Sequence, residues 1–489
     1  MLHTPLGKVI QSLGKRERAD LLRWVESPFF NRRPEVLRLC QHLCQTTPLG
    51  EIAEFQSEDL GKREAYVQVF GTDRAPARQK EKKERPGSKI EKLSPAEDTT
   101  LRYAMSFLFT AVKQWMAYRE WSHDDMATGL MLCRSLRKRE LPSVFEKEFK
   151  NLHVTASKVR ASADFSQAQY QIQFERLEFN VRSGQADPVQ LQKSSNAFGA
   201  YVANIALRHG CAALNNSEFS FERIDYLPET LAKVEAGQYR DVPSIQVYFR
   251  CFRLMVANAE SDYRQLKLLL LEQSDLFSPD EIRDPWLVAL NYCIRCINSG
   301  ELMWVRETFE LYKSGLKGGW LLEKGLMPIS MYHNIMSVAI GCDEWSWARQ
   351  FLDDYRTALP VGERQNAFKF NLALWHFKRK DYSEAQEILL KVTFRDVYNN
   401  LDARRMMVRM YYDQGAFSAL DSLLHSFRTY LLRHRNIGYR RHLYANFVRI
   451  VQQIIRLSPD DKRGREQLRE RIKTEKYLAE RDWLIGLLK

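Results

Sequence analysis

The stretch that decides the fold is NAFKFNLALWHFKRKDYSEAQEILLKV, which runs from Asn366 to Val392. An apolar stripe with helical spacing occupies its first half, breaks at Lys380-Asp381 and resumes in its second half. The apolar positions are Leu372, Ala373, Phe377, Tyr382, Ala385, Leu389 and Val392. Because the break is too short for anything but antiparallel packing, the stretch predicts a helical hairpin.

The same pattern returns on both sides of this hairpin. Further breaks at Gly300, at Cys342-Asp343 and at Gly415 each separate two apolar stripes. A single hairpin cannot bury its apolar face alone, so repeated hairpins predict a stack. One small or apolar anchor of the second helix recurs at intervals of 43, 37 and 35 residues, at Val305, Ala348, Ala385 and Leu420.

This repeat resembles the tetratricopeptide repeat over about residues 247–430. Ala348 and Ala385 match the small residue of that family's second helix, and Gly300 and Gly415 match its turn glycine. The resemblance implies an all-α fold, a right-handed α-solenoid of helical hairpins. It also implies a scaffold or adaptor without catalytic activity, which binds a segment of a partner protein in a concave groove.

Composition and turn residues divide the chain into five segments. The basic segment predicts a solvated, disordered loop, with a nucleic-acid-binding tag as the sharper alternative. The segments are a small helical module at 1–73, the basic loop at 74–93, eroded helical hairpins at 94–240, the clear repeats at 241–430 and Arg-rich capping helices at 431–489.

The start of the chain allows two interpretations. A short helix before the basic loop and a long helix from Thr99 to Trp115 would suit a winged helix, although no strand pair for a wing is recognisable. The other interpretation is a helical cap on the end of the stack, because terminal repeats need a polar outer surface. Within this module we expect Phe29 and Phe30 to fill the joint after the helix that ends at Ser27-Pro28.

Length and composition exclude several classes of protein. The chain has 489 residues with 45% hydrophobic content, which rules out a mainly disordered protein. No run approaches 18 apolar residues, and the first residues lack a signal-peptide pattern, so we expect no membrane association. Eight cysteines in a chain of this length do not form a disulfide framework, which predicts a reducing, cytoplasmic location.

Motifs that carry chemistry are scarce. There is no phosphate-binding glycine loop, no nucleophile elbow and no zinc-protease helix. His123-Asp124-Asp125 is the one cluster that resembles a metal or acid–base site, but an Asp before a helix is usually an N-terminal cap. Cys293 and Cys296 form a C-x-x-C inside a predicted helix, where core packing is the simpler explanation. We therefore expect no metal, no cofactor and no enzymatic activity.

Three asparagines carry the first functional prediction. Alignment of the repeats by their anchors places Asn291, Asn334 and Asn371 at one equivalent position of three successive first helices. In tetratricopeptide proteins this position faces the groove, where a carboxamide can bind a peptide N–H and C=O together. The alternative is that these carboxamides hydrogen-bond neighbouring helices of the same chain.

Other side chains extend this predicted groove. His333, Phe370 and Leu374 would make its lining partly apolar. Three cations beyond the asparagines would bind an acidic side chain or a terminal carboxylate of the partner, namely Lys378, Arg405 and Arg409.

A basic, aromatic stretch carries the alternative prediction. The net charge is +13, and from Ser422 to Pro459 no Asp or Glu occurs while the basic residues are all arginine. Arginine and aromatic side chains together suit RNA or single-stranded DNA. The competing interpretation is a solvated face paired with acids such as Asp396, Asp402 or Glu387. The arginines that we expect to contact nucleic acid are Arg433, Arg435, Arg440 and Arg441.

Overall fold

The computed structural model describes residues 4–47, 58–71, 93–158, 163–185, 187–216, 224–393, 397–434, 437–458 and 460–488. In this part of the chain the protein is all-helical, with 80% helix and no β-strand, which confirms the predicted all-α class. Residues 74–92 of the predicted basic loop lie outside the described ranges, as does Arg435.

The chain forms two compact units, one of residues 1–159 with 168–195 and one of residues 160–167 with 196–489. Two long helices, α8 and α9, contribute residues to both. The helices up to that point are α1 Pro5–Ser12, α2 Lys15–Glu26, α3 Pro34–Thr46, α4 Glu58–Phe70, α5 Pro95–His123, α6 Asp125–Lys138, α7 Pro142–Lys158, α8 Ala163–Arg182 and α9 Pro188–Asn215.

Local side-chain caps explain where several helices begin. The Ser94 hydroxyl accepts a hydrogen bond from the Glu97 N–H, and the Glu97 carboxylate accepts one from the Ser94 N–H at 2.8 Å. Asp124 caps α6 by accepting from the Ala127 N–H at 2.9 Å. The Asp124 carboxylate therefore has the structural role that its position before a helix indicates.

The joint between α2 and α3 differs from the prediction. Phe29 is 86% exposed, so it does not fill the joint, while Phe30 stacks on Trp24 at a centroid distance of 3.4 Å. The Asn31 carboxamide holds the joint instead, donating to the Val25 and Arg33 carbonyls and accepting from the Arg33 N–H, each at 3.0 Å. A turn whose backbone is satisfied in this way needs no buried ring.

Arg18 closes two helix ends in the same unit. Its buried guanidinium donates to the carbonyls of Ile10 and Leu13 at the end of α1, and to those of Cys44 and Thr47 at the end of α3. Helix C-termini carry partial negative charge and unpaired carbonyls, so the four carbonyls stabilise this buried cation.

The second unit contains the predicted hairpins. Five pairs of consecutive helices pack against each other: α11 with α12, α13 with α14, α15 with α16, α17 with α18, and α19 with α20. First helices of neighbouring pairs are also in contact, α13 with α11, α15 with α17, and α17 with α19. The helices are α10 Leu227–Glu235, α11 Pro243–Ala257, α12 Glu260–Gln273, α13 Pro279–Asn298, α14 Trp304–Lys317, α15 Ile329–Gly341, α16 Trp345–Asp354, α17 Arg364–Arg379, α18 Tyr382–Leu390, α19 Val397–Asp413, α20 Phe417–Arg433, α21 Tyr439–Arg456, α22 Lys462–Thr474 and α23 Arg481–Gly486.

Each hairpin turn uses a residue in the left-handed backbone region. The φ angles are 99° at Gly300, 59° at Asp343, 69° at Lys380 and 69° at Gly415. At Lys380 the following N–H of Asp381 donates to the His376 carbonyl at 3.0 Å, as in the usual helix-ending motif. The turn geometry is therefore shared even where the sequence lacks glycine.

Small anchors let the paired helices approach closely. Ala348, Ala385 and Leu420 have no exposed surface, whereas Val305 is half-buried. Two tryptophans bury their rings and still pair their indole N–H: Trp286 donates to the Leu311 carbonyl and Trp375 to the Trp345 carbonyl. The first bond lies within one hairpin, and the second joins α17 to α16 of the preceding hairpin. One hydrophobic cluster extends from α9 into α19, and Leu420 belongs to a second cluster that continues to α23.

Candidate functional site

The predicted groove residues lie on three first helices, α13, α15 and α17. Helix α17 packs against α15 on one side and against α19 on the other. Asn291 and Asn334 are exposed, and Asn334 also shares a hydrogen bond with the Tyr312 side chain. Asn371 is only 1% exposed. The three equivalent sequence positions therefore have two different environments.

Asn371 uses its carboxamide inside the protein. Its amide group donates to the Ala367 carbonyl at 2.9 Å, and its oxygen lies 3.0 Å from Nδ1 of His333. Burial is the largest influence on His333 and lowers its pKa, while Asn371 and the Asp402 charge raise it and Arg405 lowers it. A neutral imidazole that donates from Nδ1 fits this arrangement. For Asn371 the structure favours the intramolecular alternative.

A small cavity opens beside this pair. Its volume is about 100 Å³, and His333, Phe370 and Asn371 line it together with the residues that follow α18 and the start of α19. The His333 and Phe370 rings are 5.4 Å apart. The remaining lining residues are Ile329, Glu363, Asn366, Ala367, Val392, Thr393 and Asn399. The cavity is large enough for one side chain of a ligand and has both apolar and carboxamide walls.

The predicted cations meet at one carboxylate, which belongs to the chain itself. Arg405 and Arg409 both donate to Glu480, the latter at 3.1 Å, and Arg405 also pairs with Asp402 at 3.3 Å. Lys378 lies beside them. Its pKa is lowered by desolvation of the ammonium, raised by Glu480 and lowered by the two arginines.

Two features of this cluster were not accessible from the sequence. Glu480 is 71 and 75 residues away from its partners, in a segment with no repeat signal. Tyr444 donates to Asp402 at 2.6 Å and so links α21 to the same cluster. The arrangement shows that these cations can bind a carboxylate, and that in this state the carboxylate is internal.

The arginines of the alternative prediction lie where α20 ends and α21 begins. Arg433 and Arg440 are exposed and Arg441 is half-buried. Of the acids expected to neutralise them, Asp402 pairs with Arg405, Glu387 pairs with Lys391 at 2.6 Å, and Asp396 lies outside the described residues.

The described residues contain no group of three or more His, Cys, Asp or Glu side chains that could hold a metal ion. Cys293 and Cys296 are both buried in the core, and burial raises the pKa of Cys293 to about 12. A protonated thiol of this kind is a packing group. Across the described ranges, no helix combines the length and the apolar character needed to cross a membrane.

Comparison with known proteins adds no relative. Neither a protein family, nor a curated protein, nor a solved structure matches the chain.

Proposed function

We propose that this protein is a non-catalytic scaffold or adaptor that binds an extended segment of a partner protein over α13, α15 and α17. The observation that carries the proposal is the cavity of about 100 Å³ beside His333 and Phe370. Both side chains were expected from the repeat alignment to line a groove, and they come from two successive hairpins. Asn291 on α13 and Asn334 on α15 offer exposed carboxamides.

The same proposal includes a right-handed α-solenoid of tetratricopeptide-like hairpins. The paired packing of consecutive helices and the shared left-handed turn residues support it. We also propose a cytoplasmic location, because all eight cysteines are free thiols and most of them are buried. In this function the side chains of Asn371 and Glu480 bond to other residues of the chain and do not contact the partner. The partner would contact the surface next to them.

The test is a quantitative pull-down from the native cell with two variants that change exposed residues only. Thr393→Trp places a large ring at the mouth of the cavity, where Thr393 is exposed. Asn291→Ala combined with Asn334→Ala removes the two exposed carboxamides. We expect both variants to lose the same partner proteins, since each changes part of the proposed binding face.

Two matched controls separate binding from folding. Leu390→Trp adds a ring at a position that is 78% exposed and outside the cavity lining, and Asn298→Ala removes an exposed carboxamide at the end of α13. Both controls should keep the partners. Thr393→Trp and the two controls should melt at the temperature of the wild type, and the double asparagine variant should lose at most about 1.5 kcal/mol with the Asn334–Tyr312 hydrogen bond and remain folded. An unchanged partner set in both test variants would reject the proposed binding face.

A further inference from the structure

Two groups of arginine and aromatic side chains lie where α19 begins, α20 ends and α21 begins. Arg440 and Tyr398 form one group, and Arg404, Tyr430 and His434 form the other. We call these five residues together the Arg–Tyr cluster. Arg433 and Arg441 lie beside it on α20 and α21.

Ring contacts organise the cluster. The Arg440 guanidinium carbon lies 4.5 Å from the centroid of the Tyr398 ring, and Tyr398 itself is 42% exposed. The Arg404 guanidinium carbon lies 4.8 Å from the Tyr430 ring, which is 4.3 Å from the His434 ring. Hydrogen bonds to Asn400 and Ser426 orient Arg404. Flat cationic and aromatic groups are thus held next to each other before any ligand arrives.

The segment that ends α20 and forms α21 has an excess of positive charge. From Ser422 to Pro459 the sequence has no Asp or Glu, and neither α19 nor α21 has an acidic residue in its first turn. Within the described ranges no ion pair joins Arg433 or Arg441 to a carboxylate, and the nearby Asp402 is paired with Arg405. The N-terminus of α21 adds its partial positive charge to these arginines, whereas Asp396 precedes the N-terminus of α19 in the sequence.

We propose that the Arg–Tyr cluster binds single-stranded RNA without sequence preference. Arg440 and Arg404 would contact phosphates, and the exposed Tyr398 ring would stack on a base. This site is independent of the proposed partner-binding face, since none of the five members lines the cavity.

The aromatic half of the cluster is the reason to choose RNA over an acidic protein segment. Arginines alone would suit a row of carboxylates or phosphates equally well. An exposed ring held beside a guanidinium adds a stacking platform, which bases use and acidic side chains do not.

The test is fluorescence anisotropy with a labelled single-stranded RNA of mixed sequence, long enough for a site of roughly 4–16 nucleotides. We expect binding that weakens with added salt, with a log–log slope of about 0.7 for each phosphate contact. Arg440→Glu combined with Arg441→Glu should lower affinity at least about tenfold and reduce the slope, because both cations become anions. Tyr398→Ala should lower affinity about tenfold through lost stacking and leave the slope unchanged.

The matched control is Arg456→Glu combined with Arg463→Glu. Both control arginines are exposed, as Arg440 is, whereas Arg441 is half-buried. The charge change is identical, and the control arginines lie at the far end of α21 and in α22. If the control and the test variant lose RNA affinity equally, binding depends on overall charge rather than on this cluster, and the proposal is wrong.

Two further probes decide the class of ligand. A single-stranded DNA of the same sequence separates a requirement for the ribose hydroxyl from general single-strand binding. A labelled poly-glutamate peptide should bind weakly and should not respond to Tyr398→Ala. If the peptide binds as tightly as RNA, or if wild-type protein fails to bind RNA at low salt, the proposal is wrong.

Discussion

Arg409 donates a hydrogen bond to Glu480 at 3.1 Å, although 71 residues separate them along the chain. Arg405 donates to the other oxygen of the same carboxylate. The Glu480 backbone has a φ of 54°, a left-handed conformation that costs a residue with a side chain about 1–2 kcal/mol. The two arginines therefore hold a C-terminal residue in an unfavourable backbone conformation, next to the surface that we propose binds a partner.

Loss of this carboxylate should destabilise the second unit. Glu480→Gln would leave Arg405 and Arg409 without their shared counter-charge. We expect a loss of about 2–4 kcal/mol, below the roughly 3–5 kcal/mol of a fully buried pair, because part of each side chain still contacts water. Urea unfolding followed by circular dichroism measures the change. Glu387→Gln removes the exposed pair with Lys391 and should leave the midpoint unchanged; an equal shift in both variants would contradict the prediction.

A more deeply buried carboxylate should contribute more to stability in the first unit. Glu175 is 1% exposed and accepts from Arg134 at 2.7 Å and from Arg137 at 2.9 Å. Glu175→Ala should cost about 3–5 kcal/mol, since it leaves the buried Arg137 without its main partner.

A double-mutant cycle isolates the ion pair of Glu175. Glu175→Ala combined with Arg137→Met should be less destabilising than the sum of the single changes. Glu146→Ala, which removes a half-exposed pair with Arg176, is the comparison and should cost at most about 1 kcal/mol. Additive effects at Glu175 and Arg137 would argue against an energetic coupling.

The hairpin turns offer a stabilising change. Lys380 has a φ of 69°, and glycine reaches this conformation without steric cost. Lys380→Gly should stabilise the protein by about 0.5–1 kcal/mol after the entropy cost of glycine is subtracted.

The reciprocal change provides the control for this turn. Gly415 has the same φ of 69°, and a Cβ atom there would meet no atom within 4 Å. Gly415→Lys should therefore destabilise by about 1 kcal/mol through the backbone alone. Thermal melts of both variants test the pair, and shifts of the same sign would show that turn conformation is not the cause.

Acidification should weaken the second unit through His333. Burial holds the pKa of His333 below its ordinary value, so the unfolded chain binds a proton first as pH falls through about 6.5. The contribution of His333 to the free energy of unfolding is therefore complete above that pH. It declines as pH falls towards the lowered pKa of His333 in the folded state. Asn371 and Asp402 oppose the shift, and Arg405 supports it.

The measurement is the unfolding free energy at several pH values for wild type and for His333→Gln. Glutamine can still donate to Asn371 but does not titrate. The difference in stability between wild type and variant should shrink or reverse below about pH 6. A constant difference across the range would show that His333 does not carry the pH dependence.

The sequence by itself determined the helical class, the hairpin at Asn366 to Val392 and its copies, and several helix starts such as those capped by Ser94 and Asp124. These features depend on periodicity and on contacts within about four residues, so the sequence displays them directly. It also identified Lys378, Arg405 and Arg409 as cations that suit a carboxylate.

Only the tertiary structure decided which side chains remain available. Asn291, Asn334 and Asn371 are equivalent in sequence, yet Asn371 bonds to His333 of the neighbouring hairpin while the other two are exposed. The carboxylate at Arg405 and Arg409 comes from Glu480, and the rings beside Arg440 and Arg404 come from Tyr398 and Tyr430. Such pairings join residues that are far apart along the chain, and their geometry is set by how the helices pack rather than by any local preference of the residues.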